Sequence, residues 1–139
     1  MKPVILIPTY NESIAIVELL NKLSTLHNDR DFDVVVLDDN SPDKTADIVD
    51  SLGFSWVSVL RRPGKAGLGA AYRAGFAHVL PMNKYSQIVT MDADGSHRVE
   101  DLPAMLDASD APISITLGTR WMPGGSVVNW PKSRQLLSK

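Results

Sequence analysis

Asp92 and Asp94 stand one residue apart in Asp92-Ala93-Asp94-Gly95-Ser96-His97, directly after the apolar run Ile88-Val89-Thr90-Met91. Two carboxylates at the end of a strand repel each other. The repulsion is relieved when a hard divalent cation such as Mg²⁺ or Mn²⁺ lies between them and an anionic group. A nucleotide diphosphate is the natural anion. The hexapeptide alone reads equally as an acidic turn, since Asp-Gly is a common turn pair. Two more clusters change that balance: Pro8-Thr9-Tyr10-Asn11-Glu12 follows Val4-Ile5-Leu6-Ile7, and Asp38-Asp39-Asn40-Ser41 follows Val34-Val35-Val36-Leu37.

The elements that position these clusters can be read from periodicity. Continuous apolar runs at 4–7 and 34–37 predict strands buried on both faces, with the first placed at 3–8. Ile14, Val17, Leu20 and Leu23, broadened by Leu19 and Leu26, predict an amphipathic helix. Ser41 is placed to cap a second helix with Pro42 at its first position and Gly53 at its end. Trp56 to Leu60 reads as a third strand. A helix from Gly69 to Leu80 carries Ala70, Ala71, Ala74 and Ala77 for close packing on a sheet, and Pro81 ends it. A strand at 86–91, a short helix at 99–108 and a strand at Ile113 to Leu117 complete the pattern. Strands alternating with helices predict a doubly wound parallel α/β sheet of order 3-2-1-4-5. Its order reverses beside the first strand, so a ligand is expected at the carboxyl ends there, where all three clusters lie. Gly67-Leu68-Gly69 is no dinucleotide fingerprint, because it follows the third strand and lacks the spacing. Its glycines are read as packing residues, and Arg62 and Lys65 as solvated in preference to a role beside the bound nucleotide.

Composition bounds the function. The 139 residues suffice for one core, and 44% apolar content is ordinary for a soluble fold. Absence of cysteine excludes disulfides and thiolate metal sites and fits a cytosolic setting. No apolar run is long enough to span a bilayer, and no signal peptide is expected before Val4. Residues 1–60 carry a net charge of −6 and residues 61–139 carry +4, and beyond Gly118 the bases Arg120, Lys132, Arg134 and Lys139 face no acid. A basic end suits phosphate groups or an anionic surface. Nucleic acid is not expected, since bases and aromatics are not interleaved along a face.

The three clusters, together with Gly67-Leu68-Gly69-Ala70-Ala71-Tyr72, Gly118-Thr119-Arg120 and Pro123-Gly124-Gly125-Ser126-Val127-Val128-Asn129-Trp130-Pro131, occur in an order that resembles family 2 glycosyltransferases of GT-A fold. Within that family they look like the polyprenol (dolichol) phosphate mannose synthase branch. The resemblance implies a Rossmann-like, doubly wound, mostly parallel sheet flanked by helices, with the family's C-terminal part missing. Residues 1–118 would form the nucleotide-sugar-binding core. Residues 119–139 would begin an acceptor-binding segment, poorly anchored, so that transfer by this stretch alone is impaired or absent.

Carried over residue by residue, the resemblance implies that Pro8, Tyr10, Glu12, Leu37 and Asp39 line the base and ribose of the donor. Asp92, Ala93 and Asp94 would reach its sugar and diphosphate. Asp94 would ligate Mg²⁺ or Mn²⁺ directly, with Asp92 acting through its neighbours. Ser96 is the third metal position, where some relatives carry Gln; Ser is a poorer oxygen ligand, and water can substitute. Asp92, Asp94 and Arg120 would be the catalytic set. Arg120 would also contact the donor, and Arg120 and Arg134 would grip the acceptor phosphate in a guanidinium fork. The implied reaction moves mannose from GDP-mannose to a polyprenyl phosphate with inversion, at the cytoplasmic face of a membrane. A family 2 enzyme using a UDP-sugar such as UDP-glucose would share every donor motif. A non-enzymatic phosphate-binding or receiver-type α/β domain would share only the carboxylates.

Overall fold

The structure, a computed structural model, describes residues 1–108 and 115–119. The chain divides into two compact units, residues 1–102 and 103–139.

In the first unit β1 (Lys2–Thr9), β2 (Asp33–Asp38), β3 (Val57–Arg61) and β4 (Tyr85–Thr90) form a parallel sheet of order β3-β2-β1-β4. The expected order holds for these four. Of the fifth strand expected at Ile113 to Leu117, residues 113 and 114 lie outside the described residues, and 115–117 are not in a strand. β1 pairs with β2 from Val4–Asp33 to Thr9–Asp38, and with β4 from Lys2–Tyr85 to Leu6–Thr90. Val4 to Ile7 and Val34 to Leu37 are buried, as continuous apolar runs in central strands require. The chain steps outward from β1 to β3 and returns on the far side of β1. The reversal therefore lies between the carboxyl ends of β1 and β4.

α1 (Ser13–His27) buries Ile16, Leu19, Leu20 and Leu23, while Ile14 is exposed. The buried stripe is rotated from the expected one, because the apolar residues between 14 and 26 are numerous enough to offer two faces. α2 (Thr45–Ser51) starts later than expected, so Ser41 does not cap it; Lys44, with φ 61°, precedes it instead. α3 (Leu68–Val79) turns Ala71, Gly75 and Val79 to the sheet, against Val4, Leu6, Val35 and Leu37. A Cβ on Gly75 would lie 2.9 Å from Leu37 Cδ1 and 3.0 Å from Leu6 Cδ1, so Gly75 is the close-packing glycine. Gly67 and Gly69 are not: no packing neighbour lies within 4 Å of Gly67, whose φ of 87° needs glycine, and Gly69 meets just the end of Arg73. Short 3-10 turns at Leu80–Met82 and Val99–Asp101 follow α3 and precede α4 (Leu102–Asp107). In the second unit a Cβ on Gly118 would lie 3.3 Å from Met105 Sδ, and Ile115 and Leu117 are exposed.

The amino-terminal edge of the sheet is clamped by Asp33. Its carboxylate pairs with Lys2 at 2.7 Å and Lys84 at 3.1 Å, and accepts the Tyr85 hydroxyl at 3.1 Å. Burial opposes ionisation of Asp33, but the bonds from Lys2, Lys84 and Tyr85 outweigh it and hold the carboxyl below its ordinary value of 3.8. This stabilisation is complete above the unfolded value and is lost as pH falls through the lower folded one. Asp33→Asn is expected to cost about 1.5 kcal/mol at pH 7, within the range for hydrogen bonds to charged groups. The deficit should shrink below roughly pH 4. Urea unfolding midpoints at pH 7 and pH 3 check both parts.

Candidate active site

Backbone hydrogen bonds just beyond the strands carry the sheet's order into the three clusters. The N–H of Asp39 donates to Thr9 O at 3.1 Å, that of Met91 to Leu6 O at 3.1 Å, and that of Arg62 to Asp38 O at 2.8 Å. A cavity of about 310 Å³ opens over this edge, at the lower end of the range for small-molecule sites. Pro8, Tyr10 and Glu12 line it from the end of β1, Asp39 from β2, Lys65, Gly67 and Leu68 from the approach to α3, and Asp92, Ala93 and Asp94 from β4. Seven residues singled out in the sequence therefore share one crevice. Leu37 does not reach it: it is fully buried beneath Gly75, within the sheet ladder rather than beyond its end. Ser96 is not in the cavity wall, and Arg120 and Arg134 lie outside the described residues.

Each carboxylate has its own support. Asp92 Oδ1 accepts the Tyr72 hydroxyl at 3.2 Å, and the Asp92 N–H donates to His97 Nδ1 at 3.1 Å, with His97 Nε2 3.8 Å from Asp92 Oδ2. His97 thus braces the turn. Burial and the charge of Asp92 push the Tyr72 phenol well above its ordinary value, so it stays a donor. Asp94 Oδ1 accepts the Ser96 N–H at 2.9 Å across Gly95, whose φ is 77°. The Ser96 hydroxyl and N–H, helped by His97, hold Asp94 below the usual carboxylate range. Its exposed carboxylate is therefore an ionised, hard oxygen donor at neutral pH.

Among the described residues no three His, Cys, Asp or Glu side chains cluster as a metal site. Asp92 and Asp94 fit a divalent ion of the Mg²⁺ or Mn²⁺ kind that shares its coordination with phosphate and water, since such ions commonly take one or two carboxylates.

Asp39 is buried and ion-paired with Arg62, and its Oδ2 accepts the Ala66 N–H at 3.4 Å. Lys65 places its ammonium 4.4 Å from the centroid of the Tyr10 ring. Sequence reasoning preferred solvation to a donor-side role for both cations and had no role for Tyr72. The available signal for Arg62 and Lys65 was position, because both follow β3 at the edge where the acids gather.

The glycosyl transferase family 2 model matches residues 4–139. The chain belongs to that family. This family 2 chain is 43% identical, over 99% of its length and 52% of the relative's, to polyprenol monophosphomannose synthase of Mycolicibacterium smegmatis. It is 43% identical to undecaprenyl-phosphate mannosyltransferase of Micrococcus luteus, covering 56% of that protein. It is 36% identical to dolichol-phosphate mannosyltransferase of Pyrococcus furiosus, covering 39%. The family 2 chain thus spans about half the length, or less, of these curated relatives. Among solved structures, a mannosyltransferase from Pyrobaculum calidifontis in complex with GDP-Man and Mn²⁺ matches with a TM-score of 0.62 and 24% identity, covering 74% of this chain and 30% of that one. TarS of S. aureus matches with a TM-score of 0.57 and 27% identity, covering 78% of this chain and 33% of that one. These likenesses agree with the GT-A arrangement of the sheet. Among the described residues no helix is long and apolar enough to cross a membrane.

Proposed function

We propose that this chain is the donor-binding part of a polyprenyl-phosphate mannosyltransferase that takes mannose from GDP-mannose. One observation carries the reading: Glu12, Asp39, Asp92 and Asp94, from three strand ends, line a single cavity of about 310 Å³. The names of the three relatives supply the sugar and the lipid class.

In this reading Asp39 and Glu12 accept hydrogen bonds from the base and ribose, Tyr10 and Pro8 pack on them, and Asp92 and Asp94 hold Mg²⁺ or Mn²⁺ against the diphosphate. When bound, the ion supplies Lewis-acid stabilisation of the charge that collects on the departing diphosphate. The acceptor oxygen of a lipid monophosphate is already anionic at neutral pH, so no side chain need deprotonate it. Arg120 and Arg134 are assigned to positioning that phosphate, and direct displacement inverts the anomeric centre. Residues 1–118 form the donor core, and 119–139 begin the acceptor segment. The full-length protein would work at the cytoplasmic face of a membrane.

Calorimetric titration of GDP and UDP, each with and without Mn²⁺, tests the reading. GDP is expected to bind more tightly than UDP and to require Mn²⁺ for most of its affinity. A preference for UDP would move the chain to another donor class within the family. Binding of Mn²⁺ or orthophosphate without any nucleotide preference would overturn the transferase reading in favour of a receiver-type module.

A further inference from the structure

The stretch Asp38-Asp39-Asn40-Ser41-Pro42-Asp43 gives Asp39 to the cavity, and the cavity itself uses none of its neighbours. They do something else. The three consecutive N–H groups of Asn11, Glu12 and Ser13, where the chain passes from β1 into α1, donate to Ser41 Oγ at 3.0 Å, Thr45 Oγ1 at 3.1 Å and Asp43 Oδ2 at 3.1 Å. α1 has no side-chain cap of its own, so orphan donors near its start are met from a different loop.

The acceptors are themselves fixed. Asp38, almost fully buried, takes the Thr9 hydroxyl at 3.0 Å, the Ser41 hydroxyl at 2.6 Å and the Ser41 N–H at 2.9 Å. Asp43 Oδ1 takes the Thr45 hydroxyl at 2.5 Å and the Thr45 N–H at 3.1 Å. Because each hydroxyl gives its proton to a carboxylate, its lone pairs are left for the backbone N–H groups opposite. Burial opposes ionisation of Asp43, but the bonds from Thr45 and Ser13 outweigh it and keep its carboxyl below the usual range.

We propose that Ser41, Asp43 and Thr45 are positioning residues for the donor site, holding Tyr10 and Glu12 at a fixed separation from Asp39 so that nucleoside contacts from two strand ends stay in register. The inference rests on the donor reading above. None of the three lines the cavity; they act through the loop they brace. The brace joins the ends of β1 and β2 and leaves Asp92 and Asp94, at the end of β4, untouched. Its loss should therefore weaken nucleoside recognition without changing the response to metal.

Thr45 allows a shape-matched test. Thr45→Val removes the hydroxyl from a fully buried site at nearly constant volume, whereas Thr45→Ser keeps the hydroxyl and drops a methyl group. In calorimetric titrations Thr45→Val is expected to lose GDP affinity by about tenfold, as supporting residues around a site typically do. The ratio of affinities with and without Mn²⁺ should be unchanged. Thr45→Ser should bind GDP within about twofold of wild type even if its thermal midpoint falls as far. Affinity that follows the thermal midpoint instead of the hydroxyl, or that is unchanged in Thr45→Val, overturns the positioning role. Wild type that binds no nucleotide overturns the donor reading and the brace with it. Should Thr45→Val fail to fold, Ser41→Ala against Ser41→Thr makes the same comparison at a half-buried position, with the same expected results.

Discussion

Asp94→Asn is expected to remove most of the Mn²⁺-dependent affinity for GDP, by at least about 100-fold, while leaving the thermal midpoint nearly unchanged. Asp94 is exposed, and its carboxylate is held within the chain by short-range bonds from Ser96 across a turn, the N–H bond at 2.9 Å. An asparagine oxygen can still accept that bond, so the turn survives. What disappears is the negative charge on a hard oxygen donor facing the cavity, and a hard divalent cation discriminates strongly between a carboxylate and an amide. Calorimetry in Mn²⁺ beside a thermal melt separates the two effects. Retained metal-dependent GDP binding in Asp94→Asn would remove Asp94 from its assigned role.

Arg62→Met is expected to have the largest effect on stability. The Arg62 and Asp39 side chains are 11% and 7% exposed, and they pair directly. Removing one partner of a buried pair strands the other charge, which costs about 3 kcal/mol, or roughly 14 °C in melting temperature for a unit of this size. Nucleotide binding should fall as well, because Arg62 orients a carboxylate assigned to the base and ribose. The double substitution Arg62→Met with Asp39→Asn removes the stranded charge and should recover stability relative to Arg62→Met alone. It should not recover nucleotide binding. Non-additivity in the thermal cycle is the signature, since the two residues are in contact. Additive losses would mean that the pair is not coupled.

What the sequence disclosed follows from how locally each feature is determined. β1 and β2 were legible because burial on both faces leaves a continuous apolar run, and the site's edge was legible because acids followed those runs. The face of α1 was not, since Ile14 and Ile16 are equally apolar and only packing chooses between them. Ser41 looks like the cap of α2, yet its hydroxyl is claimed by Asp38 and its lone pair by Asn11, a partner 30 residues away that no local pattern reveals. Leu37 was placed with Asp39 by resemblance, although the sheet ladder ends between them: Leu37 pairs with Pro8 and Leu60, and Asp39 is the first residue past the strand. Arg62 looked like a solvated base because its partner lies 23 residues earlier, at the end of β2. Likewise, no spacing rule separates Gly75, pressed against Leu37, from Gly69.

In the proposed function, acids from three strand ends gather to hold a nucleoside diphosphate through a shared cation. Electron paramagnetic resonance titration of Mn²⁺ into the wild-type chain, with and without GDP, measures it directly. The free Mn²⁺ signal should fall much further when GDP is present, because chain and diphosphate complete one coordination shell between them. Equal Mn²⁺ uptake in both titrations, once GDP's own binding of the ion is subtracted, would mean that the chain and the diphosphate do not share the ion.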